Sequence, residues 1–375
     1  MGRTLGALYL LCFSTSSADG IMCIYLGQQP HLHYDSAEHI IPAGLGGIQK
    51  LPREYVSREF NHQSSKQERV FIKSSIIALP RQLLGPGKRG SMNPSKATKS
   101  TVNVFSKQPL EDSFSLGYIQ QGKPRELPYI VWNSKRDEFT ISIEKTAKES
   151  DVAEFKRYIA AFKEDRVRMI SHPELDSDTY ILGVQPGLEH TVDFYIASQD
   201  GITHPFTQEL LREIDTLIVD KATFTGAEAY HVRTHQTAVI GNEYYTCCAK
   251  IAFNALAFIQ GKDFVLQPCF DPLRKWIAQG GDNQFVRLAP ELFSEMKSAF
   301  PVDSHYILFT KTDLGLVASV SFYDNIHNLV WLSEEPTGGP VLDGFICDWR
   351  QRRELHYNEY MAHQVESLNG MSTQF

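Results

Sequence analysis

Thiols are scarce in this chain. Its 375 residues hold six cysteines, Cys12, Cys23, Cys247, Cys248, Cys269 and Cys347, in no framework spacing. No disulfide scaffold is encoded, and adjacent Cys247-Cys248 in an apolar run read as core thiols of a protein in a reducing, cytoplasmic compartment. Positive charge is not in excess either: 37 Lys and Arg stand against 44 Asp and Glu, a net charge of −7. That excludes a protein that coats nucleic acid along its whole surface and requires any DNA contact to come from local basic patches. Long apolar runs are also missing. Leu5 to Phe13 is too short to span a bilayer, and no later apolar segment reaches transmembrane length, so no membrane partner is expected. With Arg3 before it and Ser16-Ser17-Ala18 behind, residues 1–21 read either as a signal-like segment or as an N-terminal extension. Repeats and low-complexity tracts are lacking as well. What remains is an ordinary globular composition, 42% hydrophobic and 22% charged, long enough for two domains.

The informative stretch is Ala37 to Glu68, AEHIIPAGLGGIQKLPREYVSREFNHQSSKQE. Glu38 and His39 precede Ile40-Ile41-Pro42, and Pro42, Gly44, Gly46 and Gly47 supply a strand end and turn. A second strand is expected over Tyr55 to Phe60, and a helix opened by Asn61 through about Leu79. Glu38-His39 and Asn61 in this order resemble the HNH nuclease motif, whose ββα-metal unit grips one divalent cation against the scissile phosphate. The resemblance implies that His39 is the general base and that Glu38 and Asn61 are oxygen ligands for Mg²⁺ or Mn²⁺. Those residue types suit the chemistry. Hydrolysis of a phosphodiester needs a base that titrates near neutral pH and a hard cation to offset developing negative charge. His62, beside Asn61, reads as a further ligand or as a solvated helix position. Glu68, seven residues after Asn61 on roughly the same helical face, reads as an additional site residue or as a partner for Arg58 or Arg69.

The chain departs from the family pattern twice. Many HNH domains hold a structural zinc with two CxxC pairs, whereas the corresponding positions here are Cys23, Leu26, Ser57 and Phe60. One thiolate cannot build a tetrahedral site, so no structural zinc is expected, and Leu26 and Phe60 become candidates for apolar packing in its place. The family's middle Asn, which orients the histidine, is also missing: Pro42 to Tyr55 contains neither Asn nor His, which leaves Gln49 or a backbone carbonyl for that task.

Arg81 to Ser100 follows with no acidic residue. Its Arg81, Lys88, Arg89, Lys96 and Lys99, together with Lys66, read either as cations for the phosphate backbone of DNA, RNA not being excluded, or as a solvated linker. From Thr101 onward strands and helices alternate without a catalytic motif, and Lys250 to Ile277 bears a weaker likeness to a stretch found after HNH motifs in bacterial proteins of this size. The expected fold class is α+β, a small N-terminal ββα-metal HNH domain at 22–80, a basic linker at 81–100 and a larger mixed α/β domain at 101–375 for regulation, assembly or docking. The expected activity is metal-dependent hydrolysis of DNA, in a regulated bacterial antiviral effector that works as a homo-oligomer or beside a protein such as a short Argonaute. The competing reading is a non-catalytic nucleic-acid-binding or scaffolding protein that keeps a degenerate HNH module.

Overall fold

The computed structural model describes residues 21–108, 113–143, 149–186, 191–217, 231–234, 238, 240–289, 300–313, 315–334 and 342–372. Residues 1–20, and with them nearly all of the signal-like or extension segment, lie outside these. The chain is mixed α+β, as composition and periodicity imply. No helix among the described residues is long and apolar enough to cross a membrane.

Two short extended arms come first. Ile40 N–H donates to the Gln49 carbonyl at 3.1 Å and Leu51 N–H to the Glu38 carbonyl at 2.8 Å, which joins 38–40 to 49–51 as an antiparallel pair. The glycines of the connection are needed: Gly46 sits at φ 96°, and a Cβ on Gly47 would lie 1.8 Å from the Ile41 carbonyl oxygen. The second arm is therefore Gln49 to Leu51 rather than Tyr55 to Phe60. Tyr55 closes a turn by donating its N–H to the Pro52 carbonyl at 3.0 Å. Ser57 then caps the helix α1 (Arg58–Ser74), its hydroxyl accepting from the Phe60 N–H at 3.3 Å. Asn61 consequently lies inside α1 instead of opening it. The helix stops short of Leu79 because the Ser75 hydroxyl donates to the Phe71 carbonyl at 2.5 Å and Pro80 has no N–H to continue the ladder. A separate short helix, α2 (Ala78–Leu84), follows.

The chain divides into two compact units that do not follow the sequence order expected of them. One consists of residues 1–43, 47–70 and 241–375, the other of 44–46 and 71–240. The second unit holds α2 and nine strands: β1 (Asn103–Gln108), β2 (Phe114–Gln120), β3 (Lys123–Glu126), β4 (Tyr129–Asn133), β5 (Glu138–Ser142), β6 (Val167–Ser171), β7 (Thr179–Pro186), β8 (Val192–Ser198) and β9 (His231–Thr234), with helices α3 (Glu149–Ala160) and α4 (Gln208–Leu217). They form a four-stranded sheet, β3-β2-β1-β9, and a five-stranded sheet, β5-β4-β7-β8-β6. Val104 and Leu116 of the first sheet meet Ile181 and Ala197 of the second in one core, while Phe155 of α3 and Ile214 of α4 bury against Phe194 in another. Among the described residues, β6 and β8 alone pair in parallel.

The first unit completes itself with the C-terminal third of the sequence. Helix α5 (Asn242–Gln260) is buried along most of its length and ends at Gly261, φ 86°, whose N–H caps the Ala257 carbonyl. Two shorter helices follow, α6 (Lys262–Val265) and α7 (Asp271–Gln279). An antiparallel sheet then orders as β10-β13-β12-β11-β14-β15, from β10 (Val286–Leu288), β11 (His305–Thr312), β12 (Gly315–Phe322), β13 (Ile326–Ser333), β14 (Leu342–Asp348) and β15 (Arg353–His356). The last helix, α8 (Tyr357–Ser372), starts later than its periodicity suggests because Arg353–His356 pairs with Phe345–Asp348 as a strand. Tyr357 and Tyr360 of α8 cover one sheet face with Tyr306 and Ile346. Helix α5 covers the other, Tyr244 donating its hydroxyl to Asn328 at 2.9 Å. The apolar helices between 244 and 277 and the late strands are core: Phe253, Leu273, Val320 and Val330 are all fully buried.

Candidate active site

Helix α5 and the motif meet around one lysine. Lys250, in the middle of this buried helix, donates to Glu38 on the first arm and, at 2.5 Å, to Glu68 on α1. Its side chain is only 3% exposed. A lysine is buried so completely only when paired, and the two carboxylates hold its pKa well above the ordinary value despite the cost of desolvation. Glu38 feels the converse. Burial pushes its carboxyl above the usual range, Lys250 pulls it down, and Glu68 pushes it up again. The two carboxylates share this one ammonium, and Lys50 adds a second positive charge near Glu38. Glu68 thus pairs with Lys250, not with Arg58, whose guanidinium goes to Asp35 at 2.7 Å.

One helical turn after Lys250, Asn254 secures the neighbouring residue. Its Nδ2 donates to the His39 carbonyl at 3.0 Å, and its Oδ1 accepts from the Tyr25 hydroxyl at 2.6 Å. Asn254 thus fixes the main chain of residue 39, and not its ring, from more than two hundred positions away. Gln49 offers its backbone N–H, with that of Ile48, to the Glu354 carboxylate on β15. The His39 imidazole is partly exposed, and its pKa is lowered first by burial and then by Lys50, its partner across the arms. It stands as a neutral imidazole near pH 7, the form able to accept a proton.

Asn61 uses half of its amide. Its Nδ2 donates to the Ser36 hydroxyl at 3.1 Å, whereas its Oδ1 is buried with no hydrogen-bond partner. Ser36 lies in the bend just before the first arm, two residues ahead of Glu38. A buried, unspent amide oxygen and a carboxylate are oxygen donors of the kind that Mg²⁺ or Mn²⁺ takes, so the residue types fit such a cation. No group of three His, Cys, Asp or Glu side chains able to hold a metal occurs among the described residues. His62 is exposed on α1 and away from this set.

The expected zinc positions are occupied by packing. Tyr25 stacks on Phe60 with ring centroids 4.0 Å apart and planes 8° apart, and Ser57 N–H donates to the Cys23 thiol at 3.4 Å. Phe60 does the apolar work foreseen for it, but its partner is Tyr25, and Leu26 is only partly buried. Phe60→Ala should destabilise the protein by about 3–5 kcal/mol, read from chemical denaturation, because it removes both a buried ring and this stack. Elemental analysis should find no stoichiometric zinc, since Cys23 is the sole thiol at this place; one zinc per chain would overturn that account.

Of the basic residues, Lys66, Lys88, Arg89, Lys96 and Lys99 are exposed, with the Lys99 ammonium 4.6 Å from the centre of the Tyr118 ring. Arg81 is a correction. It is 6% exposed and donates to the Gly44 carbonyl at 2.7 Å and the Gly87 carbonyl at 3.2 Å, so its guanidinium is a structural tie and not a phosphate contact. Lys250, Asn254, Tyr25 and Glu354 were not singled out by the sequence as site residues. The one available signal was a single lysine in an otherwise apolar helix, followed one turn later by Asn. Compared with family models, curated proteins and solved structures, the chain matches none.

Proposed function

We propose that the chain is a metal-dependent endonuclease that hydrolyses phosphodiester bonds in DNA, built on a hairpin-and-helix unit of the HNH kind. The observation that carries this reading is the presence in one unit of an imidazole at His39 whose lowered pKa favours the neutral form, a buried carboxylate at Glu38 and the unspent buried Oδ1 of Asn61. Glu38 and Asn61 would hold the divalent cation, and that ion, when bound, supplies charge stabilisation on the phosphate and leaving oxygen. His39 accepts the proton of the attacking water. Its ring is free to turn to that task because the main chain, not the ring, is what Asn254 fixes. Exposed Lys66 on α1 offers a sequence-independent phosphate contact, and Lys88, Arg89, Lys96 and Lys99 offer the same in the second unit. That unit contributes no group to the set described above and is assigned a targeting or partner-docking role. The test is nicking of supercoiled plasmid with Mg²⁺ or Mn²⁺ and its loss in EDTA.

A second reading has one observation in its favour. The Lys250 ammonium already neutralises Glu38 in part, as it would in a module kept only for binding DNA or for scaffolding. Plasmid bound but never nicked, with either metal, would decide for it.

A further inference from the structure

Resting on the nuclease reading, we infer that Lys250 is a positioning residue that competes with the divalent cation for Glu38, and that Glu68 sets the outcome by drawing the lysine away. The ammonium touches carboxylates from two different elements, the first arm and α1, and has no exposed route to solvent. A lysine whose sole task was to neutralise Glu38 would need one carboxylate. The second one, Glu68, gives the ammonium a resting place when Glu38 turns to a cation, so the carboxylate is never left buried and unpaired. Asn254, on the same face of α5, keeps the Glu38-His39 backbone still while the side chain changes partner. The arrangement also accounts for two acidic side chains crowding one base in a nearly dry place, a costly choice for a pair that served packing alone.

Two substitutions then act with opposite sign on cation affinity. Lys250→Met removes the competitor and frees two carboxylates, so Mn²⁺ should bind about tenfold tighter or more, while turnover falls because Glu38 is no longer held in register. Glu68→Gln leaves the lysine with Glu38 as its only charged partner, so Mn²⁺ should bind about tenfold more weakly. Removing a merely structural ion pair would loosen the unit and weaken binding in both variants.

The experiment is Mn²⁺ titration of the full-length protein, wild type and both variants, by calorimetry and by loss of the free Mn²⁺ resonance signal, beside plasmid nicking and thermal melts of the same samples. Tightening in Lys250→Met, or in Lys250→Gln where the methionine variant does not fold, supports the inference. Affinity unchanged or shifted the same way in both overturns it, even if the wild type nicks plasmid. The predicted affinity shifts in a protein that never nicks plasmid would leave the role of Lys250 standing and overturn the nuclease reading. Failure of all three proteins to bind Mn²⁺ at millimolar concentration overturns both.

Discussion

Residues 22–80 expressed alone will show no cooperative unfolding transition and a collapsed amide spectrum. The segment contains the two arms and α1, yet much of what buries them comes from residues 241–375. Tyr25 reaches Asn254 and packs against Phe253 with centroids 5.6 Å apart. Glu38 and Glu68 lose their only buried cation when α5 is removed. The Ile48 and Gln49 amides lose Glu354, and Gln63 Nε2 loses the Ala278 carbonyl at 2.5 Å. Lys262 N–H, which donates to the Tyr55 hydroxyl at 3.1 Å, goes as well. A chain of about 60 residues is marginal even with an intact core. Circular dichroism and amide dispersion measure it, and a sharp melt with dispersed amides from the fragment would show that the hairpin and helix form an autonomous domain.

His39→Ala will abolish cleavage without unfolding the protein. Loss of a general base costs about 10²-fold or more in rate. The fold should be indifferent, because the anchoring hydrogen bond of residue 39 uses its carbonyl oxygen and the ring is partly exposed. An unchanged melting temperature with initial nicking rates reduced at least that far is the expected pair of results. Wild-type turnover in a folded His39→Ala protein would remove His39 from the chemistry.

Local signals in the sequence were legible where one segment decides its own structure. The glycine turn after Pro42, α5 with its Gly261 stop, α7 and the strands β11 to β13 follow from patterning. The second arm was misplaced because Tyr55 to Phe60 is rich in β-formers, and only the tertiary fit shows Ser57 as a helix cap. The site was half legible. Glu38, His39 and Asn61 stand within 24 residues, so a motif can show them. Lys250, Asn254 and Glu354 cannot be seen that way, because their relation to Glu38 is created by closing the chain around an insertion of some 170 residues. The same closure explains why an N-terminal module followed by an attached domain was the natural expectation and why the first unit is discontinuous.

The central claim is that this unit cuts DNA with a divalent cation and His39. The measurement closest to it is nicking of supercoiled plasmid by purified full-length protein with Mn²⁺, with Mn²⁺ plus excess EDTA, and with the His39→Ala variant at the same concentration. The account predicts open-circular product in the first sample alone. Equal product in all three, or intact supercoiled plasmid throughout despite a folded protein that binds it, would contradict the account.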